Sequence, residues 1–308
     1  MSRNAQNTNS LLMIKPKQFY VNTETAPTNT FQQTTDLNSN QIQSAFNYEF
    51  NHCVELLKQN NIEVILIESE VDDTPDALFP NNWVTLNHDG TVFYYPMLAQ
   101  NRRRERMVNI ISHLKNRFII NEEFDFANYE LKGCYLEGTG SIVFDHVNRF
   151  AFAALSERTN QRVLEDVCSR LNYSNMVFST LPINGVAVYH TNVCLHIGSG
   201  YVVIADEVIE KDENYTQMMN YFELNSYELI QLTKIQMEAF AGNMLQVKSK
   251  EGENLLLMST SAFSVLSNFQ ISTLERYNRI LCFDIPTIEK VGGGSIRCML
   301  AEIFLPTI

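Results

Sequence analysis

Short apolar stretches, several of them paired about turn signals, alternate with helical segments along the whole chain, and no Pro/Gly/Ser-rich linker interrupts them. A chain patterned this way builds an α/β domain and has no stretch to spare for a separate module. Leu11 to Ile14 and Ile62 to Ile67 read as strands, with helical spacing from Gln41 to Leu57. Trp83–Leu86 and Val92–Tyr95 flank the turn signal Asn87-His88-Asp89-Gly90. Ser141–Phe144 and Phe150–Ala154 repeat that plan, followed by a helix from Asn160 to Leu171. Val186–Tyr189, Val193–Ile197, Tyr201–Ala205, Leu245–Val247, Leu255–Met258 and Met299–Phe304 are expected to be extended, as is Phe118–Ile120. Arg104–Lys115, Asn214–Phe222, Ala262–Asn268 and Ser272–Tyr277 are expected to be helical. No repeat is visible residue by residue. The expected organisation is a loose polar tail over residues 1–10 and a single domain over 11–308.

Charge and cysteine usage narrow the function classes. The net charge is −12 and the one basic cluster, Arg102-Arg103-Arg104, reads as a solvated helix start. Nucleic acid and anionic membrane are therefore poor partners. Six cysteines lie far apart with no CxxC pair, which suits a reduced, cytoplasmic protein. The N-terminus lacks the apolar core of a signal peptide, and no apolar run is long enough to span a membrane.

Gly292-Gly293-Gly294-Ser295-Ile296-Arg297-Cys298 is the segment richest in chemistry. Glycines let the backbone come close to a ligand, and an adjacent arginine would favour a nucleophilic thiolate at Cys298. A buried cysteine behind a glycine turn is the plain alternative. In His190-Thr191-Asn192, a strand would put His190 and Asn192 on one face, about 6.6 Å apart. His190, Cys194 and His196 cannot share a metal on a straight strand, because the first two would lie about 13 Å apart. Glu137-Gly138-Thr139-Gly140 sets a carboxylate against a bend and reads either as an inward acid/base or as an exposed turn residue. Asp76, Asn81 and Asn82 stand in an apolar frame with the only tryptophan, Trp83. Arg158 is either a carboxylate clamp or a solvated residue beside an N-cap at Thr159 or Asn160.

Taken in order, Met13-Ile14-Lys15-Pro16, Phe79-Pro80-Asn81-Asn82-Trp83, Glu137-Gly138, Leu155-Ser156-Glu157-Arg158-Thr159-Asn160, His190-Thr191-Asn192 and Cys298 resemble the guanidino-group-modifying enzymes, or penteins. The pattern is most similar to the citrulline-utilisation hydrolase type, often labelled amidinotransferase. The resemblance covers nearly the whole chain. It implies a five-bladed α/β propeller of ββαβ-type units around a central pocket. It implies Cys298 as nucleophile, His190 as general acid/base and Glu137 as the partnering carboxylate. Asp76, Asn81, Asn82 and Asn192 would line the substrate end. Arg158 would clamp the α-carboxylate, with Arg102 a second clamp that its neighbours Arg103 and Arg104 make hard to assign. No metal or organic cofactor is implied, and a homo-oligomer is compatible with the resemblance.

Many arginine-processing relatives carry Asp at the position of Asn82, and His-x-Asp in place of His190-Thr191-Asn192. A buried guanidinium needs charge partners, whereas a neutral amide suits a neutral ureido head group. Citrulline, yielding ornithine, ammonia and carbon dioxide, is therefore the expected substrate. Amidino transfer to an amine, an arginine or methylarginine hydrolase, a ligand-binding pseudoenzyme and a Cys-His peptidase are the other readings.

Overall fold

The structure is a computed structural model that describes residues 4–182 and 185–308. It contains five three-stranded sheets built to one plan. In each, two antiparallel strands are followed by a crossover and a third strand parallel to the second. Parallel neighbours require such a crossover, which is why helices alternate with hairpins along the sequence.

The strands are β1 (Ser10–Lys15), β2 (Glu63–Glu68), β3 (Val84–Leu86), β4 (Thr91–Tyr94), β5 (Glu122–Asp125), β6 (Val143–Asp145), β7 (Phe150–Ala154) and β8 (Ser174–Phe178). They continue with β9 (Leu195–Ile197), β10 (Tyr201–Ile204), β11 (Glu228–Gln231), β12 (Leu245–Lys248), β13 (Asn254–Ser259), β14 (Arg279–Phe283) and β15 (Ala301–Glu302). Four sheets take consecutive strands, from β3-β4-β5 to β12-β13-β14. The fifth joins the two ends of the chain: β15 lies antiparallel to β1, with Leu11 opposite Glu302, and β2 lies parallel on the other side.

The longest crossover helix, Ser39–Gln59, starts with a capping box on Asn38 and Gln41. It buries Ile42, Phe46, Phe50, Cys53, Val54 and Leu57 at helical spacing against Phe19, Leu281 and Ile288. The helices Gln161–Leu171 and Glu213–Leu224 serve the β6-β7-β8 and β9-β10-β11 sheets. No helix among the described residues is long and apolar enough to cross a membrane, and all six cysteines are free.

Several sequence expectations are corrected. The helix expected over Arg104–Lys115 breaks into Gln100–Arg103, Arg104–Met107 and Ile111–Leu114, because Arg102 and Glu105 turn inward and pair with each other. The extended segment expected at Phe118–Ile120 falls a few residues later, in β5. Ser141 ends a helical turn, Gly138–Ser141, and precedes its strand. Val186–Tyr189 forms no strand. The final strand shrinks to two residues, with Ile303 bridging to Leu86. In the tail expected to be loose, Gln6 and Asn7 are buried. Gln6 donates to the carbonyls of Phe144 and Ile197 and accepts from His146 N, and Asn7 donates to Gln246, so buried backbone groups hold this stretch down.

Candidate active site

Each sheet is entered through a tight turn, and each of these turns carries a polar group. Pro80–Asn82 leads into β3 and Gly138–Ser141, capped by Glu137, into β6. Thr191–Val193, capped by His190, leads into β9, and Asn243 stands two residues before β12. Ile296–Met299, carrying Cys298, leads into β15. The turn at Gly138–Ser141 packs on those at Pro80–Asn82 and Thr191–Val193, and the turn holding Cys298 packs on Pro80–Asn82. The five-fold repeat thus gathers groups that lie far apart in sequence.

His190 and Glu137 meet directly: Nε2 lies 2.8 Å from Oε2. Both are buried. They do not meet in the way the strand argument assumed, since His190 is the extended residue before a 3₁₀ turn and Asn192 lies inside that turn. Gly140 makes the approach feasible. A Cβ there would fall 2.8 Å from His190 Nδ1 and 2.6 Å from Asn82 Nδ2. Glu137 Oε1 also accepts from Leu98 N at 3.1 Å, and Oε2 faces Arg158 Nη1 at 3.4 Å and Arg102 Nη1 at 3.8 Å.

These neighbours set the protonation states. Burial alone would raise the Glu137 carboxyl, but Arg158, His190 and Arg102 outweigh it and hold the group well below the carboxylate range. Burial pushes His190 down to about 4, the pull of Glu137 being opposed by the two guanidiniums. A neutral imidazole against an acceptor-only carboxylate carries its proton on Nε2, which leaves Nδ1 free to accept one.

Cys298 is buried, and its Sγ receives Asn243 Nδ2 at 3.4 Å. The same amide nitrogen donates to Asn192 O at 3.1 Å, tying the nucleophile candidate to the histidine turn. Of the three glycines before it only Gly293 is left-handed, at φ +65°, and its carbonyl accepts from Tyr189 OH at 2.8 Å. Burial outweighs the expected downward pull of the adjacent Arg297 on the Cys298 thiol. Burial raises the Cys298 thiol, and Ser295 N, Asn243, Arg297 and Arg102 only partly offset it. Arg297 is spent elsewhere, on Glu302 at 2.9 Å and Leu300 O at 2.9 Å. Burial thus favours the thiol over the thiolate in the resting site. Alkylation of Cys298 by iodoacetamide should be slow at pH 7 and climb about tenfold per pH unit past pH 8. Mass spectrometry of the modified peptide, against a Cys298→Ser control, reads this. A plateau below about pH 8 would instead reveal a resting thiolate.

The remaining sequence candidates also converge. Of the three adjacent arginines, Arg102 is buried in the site, Arg103 pairs with Glu130, and Arg104 is exposed and faces Asp73. Asp76 Oδ2 accepts from Asn22 at 2.7 Å and Thr25 at 3.3 Å. Arg158 stacks over the Tyr189 ring at 4.9 Å and donates to Thr28 Oγ1 at 2.6 Å. Asn22, Thr25 and Thr28 belong to the irregular segment 16–38, which spans the site. Buried polar atoms without a hydrogen bond cluster here: Asp76 Oδ1, Asn81 Nδ2, both side-chain heteroatoms of Asn192, and Arg158 Nε. The sequence reading missed Glu105, Asn243, Tyr189 and these three residues of segment 16–38.

A family profile described as N,N-dimethylarginine dimethylhydrolase, eukaryotic, matches residues 15–305. The chain belongs to this family. It is one of the guanidino-group-modifying penteins, whose members named here are hydrolases of C–N bonds in arginine-like compounds. No curated protein matches the chain by sequence. The chain is similar in structure to the N-terminal domain of ArgZ, bound to substrate, an arginine dihydrolase from the ornithine–ammonia cycle in cyanobacteria. The TM-score is 0.72 at 14% identity, over 96% of this chain and 98% of that domain. AgrE bound to L-arginine gives 0.74 at 15% identity, covering 97% of this chain and 40% of AgrE, so the chain spans well under half of that protein. A dimethylarginine dimethylaminohydrolase adduct with S-methyl-L-thiocitrulline gives 0.62 at 13% identity, over 96% and 99% of the two chains. At these identities the likeness is one of fold: mixed α/β with small sheets.

Proposed function

We propose that this chain is a cysteine-dependent hydrolase of the ureido or guanidino carbon of a small arginine-like amino acid, with citrulline as substrate and ornithine, ammonia and carbon dioxide as products. Residues 11–308 act as one catalytic domain, the five sheets standing as propeller blades around the site. The reading rests on one observation. The unpaired buried atoms belong to residues in or beside the turns that enter the sheets: Asn81 and Asn192 stand in two of them, Arg158 faces Glu137 of the Glu137–His190 pair, Asp76 faces Arg102, and Cys298 sits in a turn packed on Pro80–Asn82. Unpaired buried polar atoms are costly, and a polar ligand satisfies them.

In the mechanism, His190 Nδ1 takes the Cys298 proton as sulfur attacks the ureido carbon, and Glu137 stabilises the imidazolium so formed. The imidazolium returns that proton to the departing nitrogen, the C–N bond breaks, and ammonia leaves a thiocarbamate on sulfur. His190 then draws a proton from water, hydroxide attacks the carbonyl carbon, and sulfur departs, recovering its proton from the imidazolium. The carbamate of ornithine loses carbon dioxide. Arg158, with its free Nε, binds the α-carboxylate, and Asp76 Oδ1 accepts from the α-ammonium. Six free cysteines fit the reducing cytoplasm.

Arginine is the second reading, and one observation favours it. The site holds three buried carboxyl groups, Asp76, Glu105 and Glu137, against two guanidiniums, Arg102 and Arg158; burial raises Asp76 and lifts Glu105 to about 7, and a further cation in the site would favour their ionised forms. A panel of citrulline, arginine, agmatine and methylated arginines, read by ammonia and amine release with and without glycine as acceptor, decides. Citrulline should give the highest kcat/KM, with ammonia release unaffected by glycine. Arginine turned over far faster would sink the ureido assignment, and glycine-dependent capture of the group would replace hydrolysis by transfer.

A further inference from the structure

The Arg102 guanidinium is anchored inside the protein. Nε and Nη2 fork onto the two oxygens of Glu105 at 2.9 and 3.0 Å, and Nη2 also reaches the carbonyls of Asp76 and Phe79 at 3.4 Å each. Nη1 donates to Asn82 Oδ1 at 2.8 Å and faces Glu137 Oε2 at 3.8 Å. Only the second N–H of Nη1 is left without a hydrogen bond, and it faces Glu137, so Arg102 is anchored in the protein and has another task than clamping a substrate carboxylate.

That task follows from donor and acceptor chemistry. A guanidinium only donates, so Asn82 must turn its oxygen to Arg102. Its NH₂ then donates to Asn81 Oδ1 at 3.0 Å. Asn81 has thereby spent its oxygen on Asn82, and its own NH₂ is buried without an acceptor. We propose that Glu105, acting through Arg102, Asn82 and Asn81, fixes the polarity of the head-group subsite by leaving an N–H donor at its end, matched to the carbonyl oxygen of a ureido group.

This deepens the hydrolase reading and rests on it. Glu105 is a positioning residue: it is buried behind Arg102 and faces away from Asn81 along the chain of contacts. With the relay reversed, Asn81 would offer an acceptor, which suits a guanidinium N–H. A site committed to one hydrogen-bond polarity discriminates strongly against the other, because a mismatch leaves buried groups unpaired.

Two substitutions test the relay. Asn81→Asp keeps the shape, still accepts from Asn82, and replaces the free donor by an acceptor. Glu105→Gln keeps the size but breaks the fork that holds Arg102. The readout is the ratio of kcat/KM for citrulline to that for arginine, together with calorimetric affinities of both amino acids for the Cys298→Ser background. Asn81→Asp should shift the ratio toward arginine by about 100-fold and Glu105→Gln by about tenfold. A merely structural role lowers both substrates alike and leaves the ratio unchanged, which overturns the relay while the hydrolase reading stands. If Glu105→Gln does not fold, Asn81→Asp still decides. Binding of neither amino acid to the Cys298→Ser protein overturns the hydrolase reading, and the relay's assigned ligand falls with it.

Discussion

Serine at position 298 is expected to leave a folded protein with ammonia release reduced by about 10⁴-fold or more, since an alkoxide is far harder to generate than a thiolate in this setting. The environment already disfavours the anion: burial raises even the thiol, and Arg297 is turned away onto Glu302. The hydroxyl can still accept from Asn243, so the midpoint of thermal unfolding should move by only about 2 °C or less. Substrate should bind without turnover. An enzyme-coupled ammonia assay beside calorimetry measures both. Retention of more than about one per cent of the wild-type rate would remove sulfur from the mechanism.

Glu137→Gln is expected to damage both stability and rate. The carboxylate is the shared counter-charge of Arg158 and Arg102 and the acceptor for His190, all of them buried. Removing one partner of a buried ionic cluster leaves uncompensated charge, at a cost of about 3–5 kcal/mol. The rate should fall by about 10²–10⁴-fold, as the imidazolium loses its support. Because folding depresses this carboxyl, its contribution is complete above the ordinary carboxyl range and is lost as pH falls toward the folded value. Urea unfolding should therefore separate variant from wild type at pH 7, with the gap narrowing below about pH 4. Equal stabilities at neutral pH would mean that the cluster contributes nothing net.

The legible part of this fold was the part that is buried. Hairpin strands such as β7 and β10 are apolar almost throughout and stand out in the sequence. The third strands of four sheets, β5, β8, β11 and β14, escape the sequence reading because they lie at sheet edges and are half exposed, each opening on Glu, Ser or Arg where an inner strand such as β7 or β10 has an aromatic residue. Without those strands the five-fold plan stayed hidden, and with it the reason why Asn243 joins the site. Asn243 stands two residues before Leu245 as Asn82 stands two before Val84, yet nothing at residue level marks it. Glu105 was hidden for the opposite reason. An acidic residue amid four arginines has the look of solvated surface, and only the fork onto Arg102 reveals that it is buried. Glu137, His190 and Cys298 were named on local context and resemblance, and the structure places them in one group of turns.

The pairing of β15 with β1 has a consequence for biogenesis. The turn that carries Cys298 leads into a strand paired with β1, so its anchor is a contact between residues as far apart in sequence as Leu11 and Glu302. Contacts of such wide separation form late. Under the proposed mechanism, a fragment that stops short of Met299 lacks β15 and with it the anchor of the turn that carries Cys298.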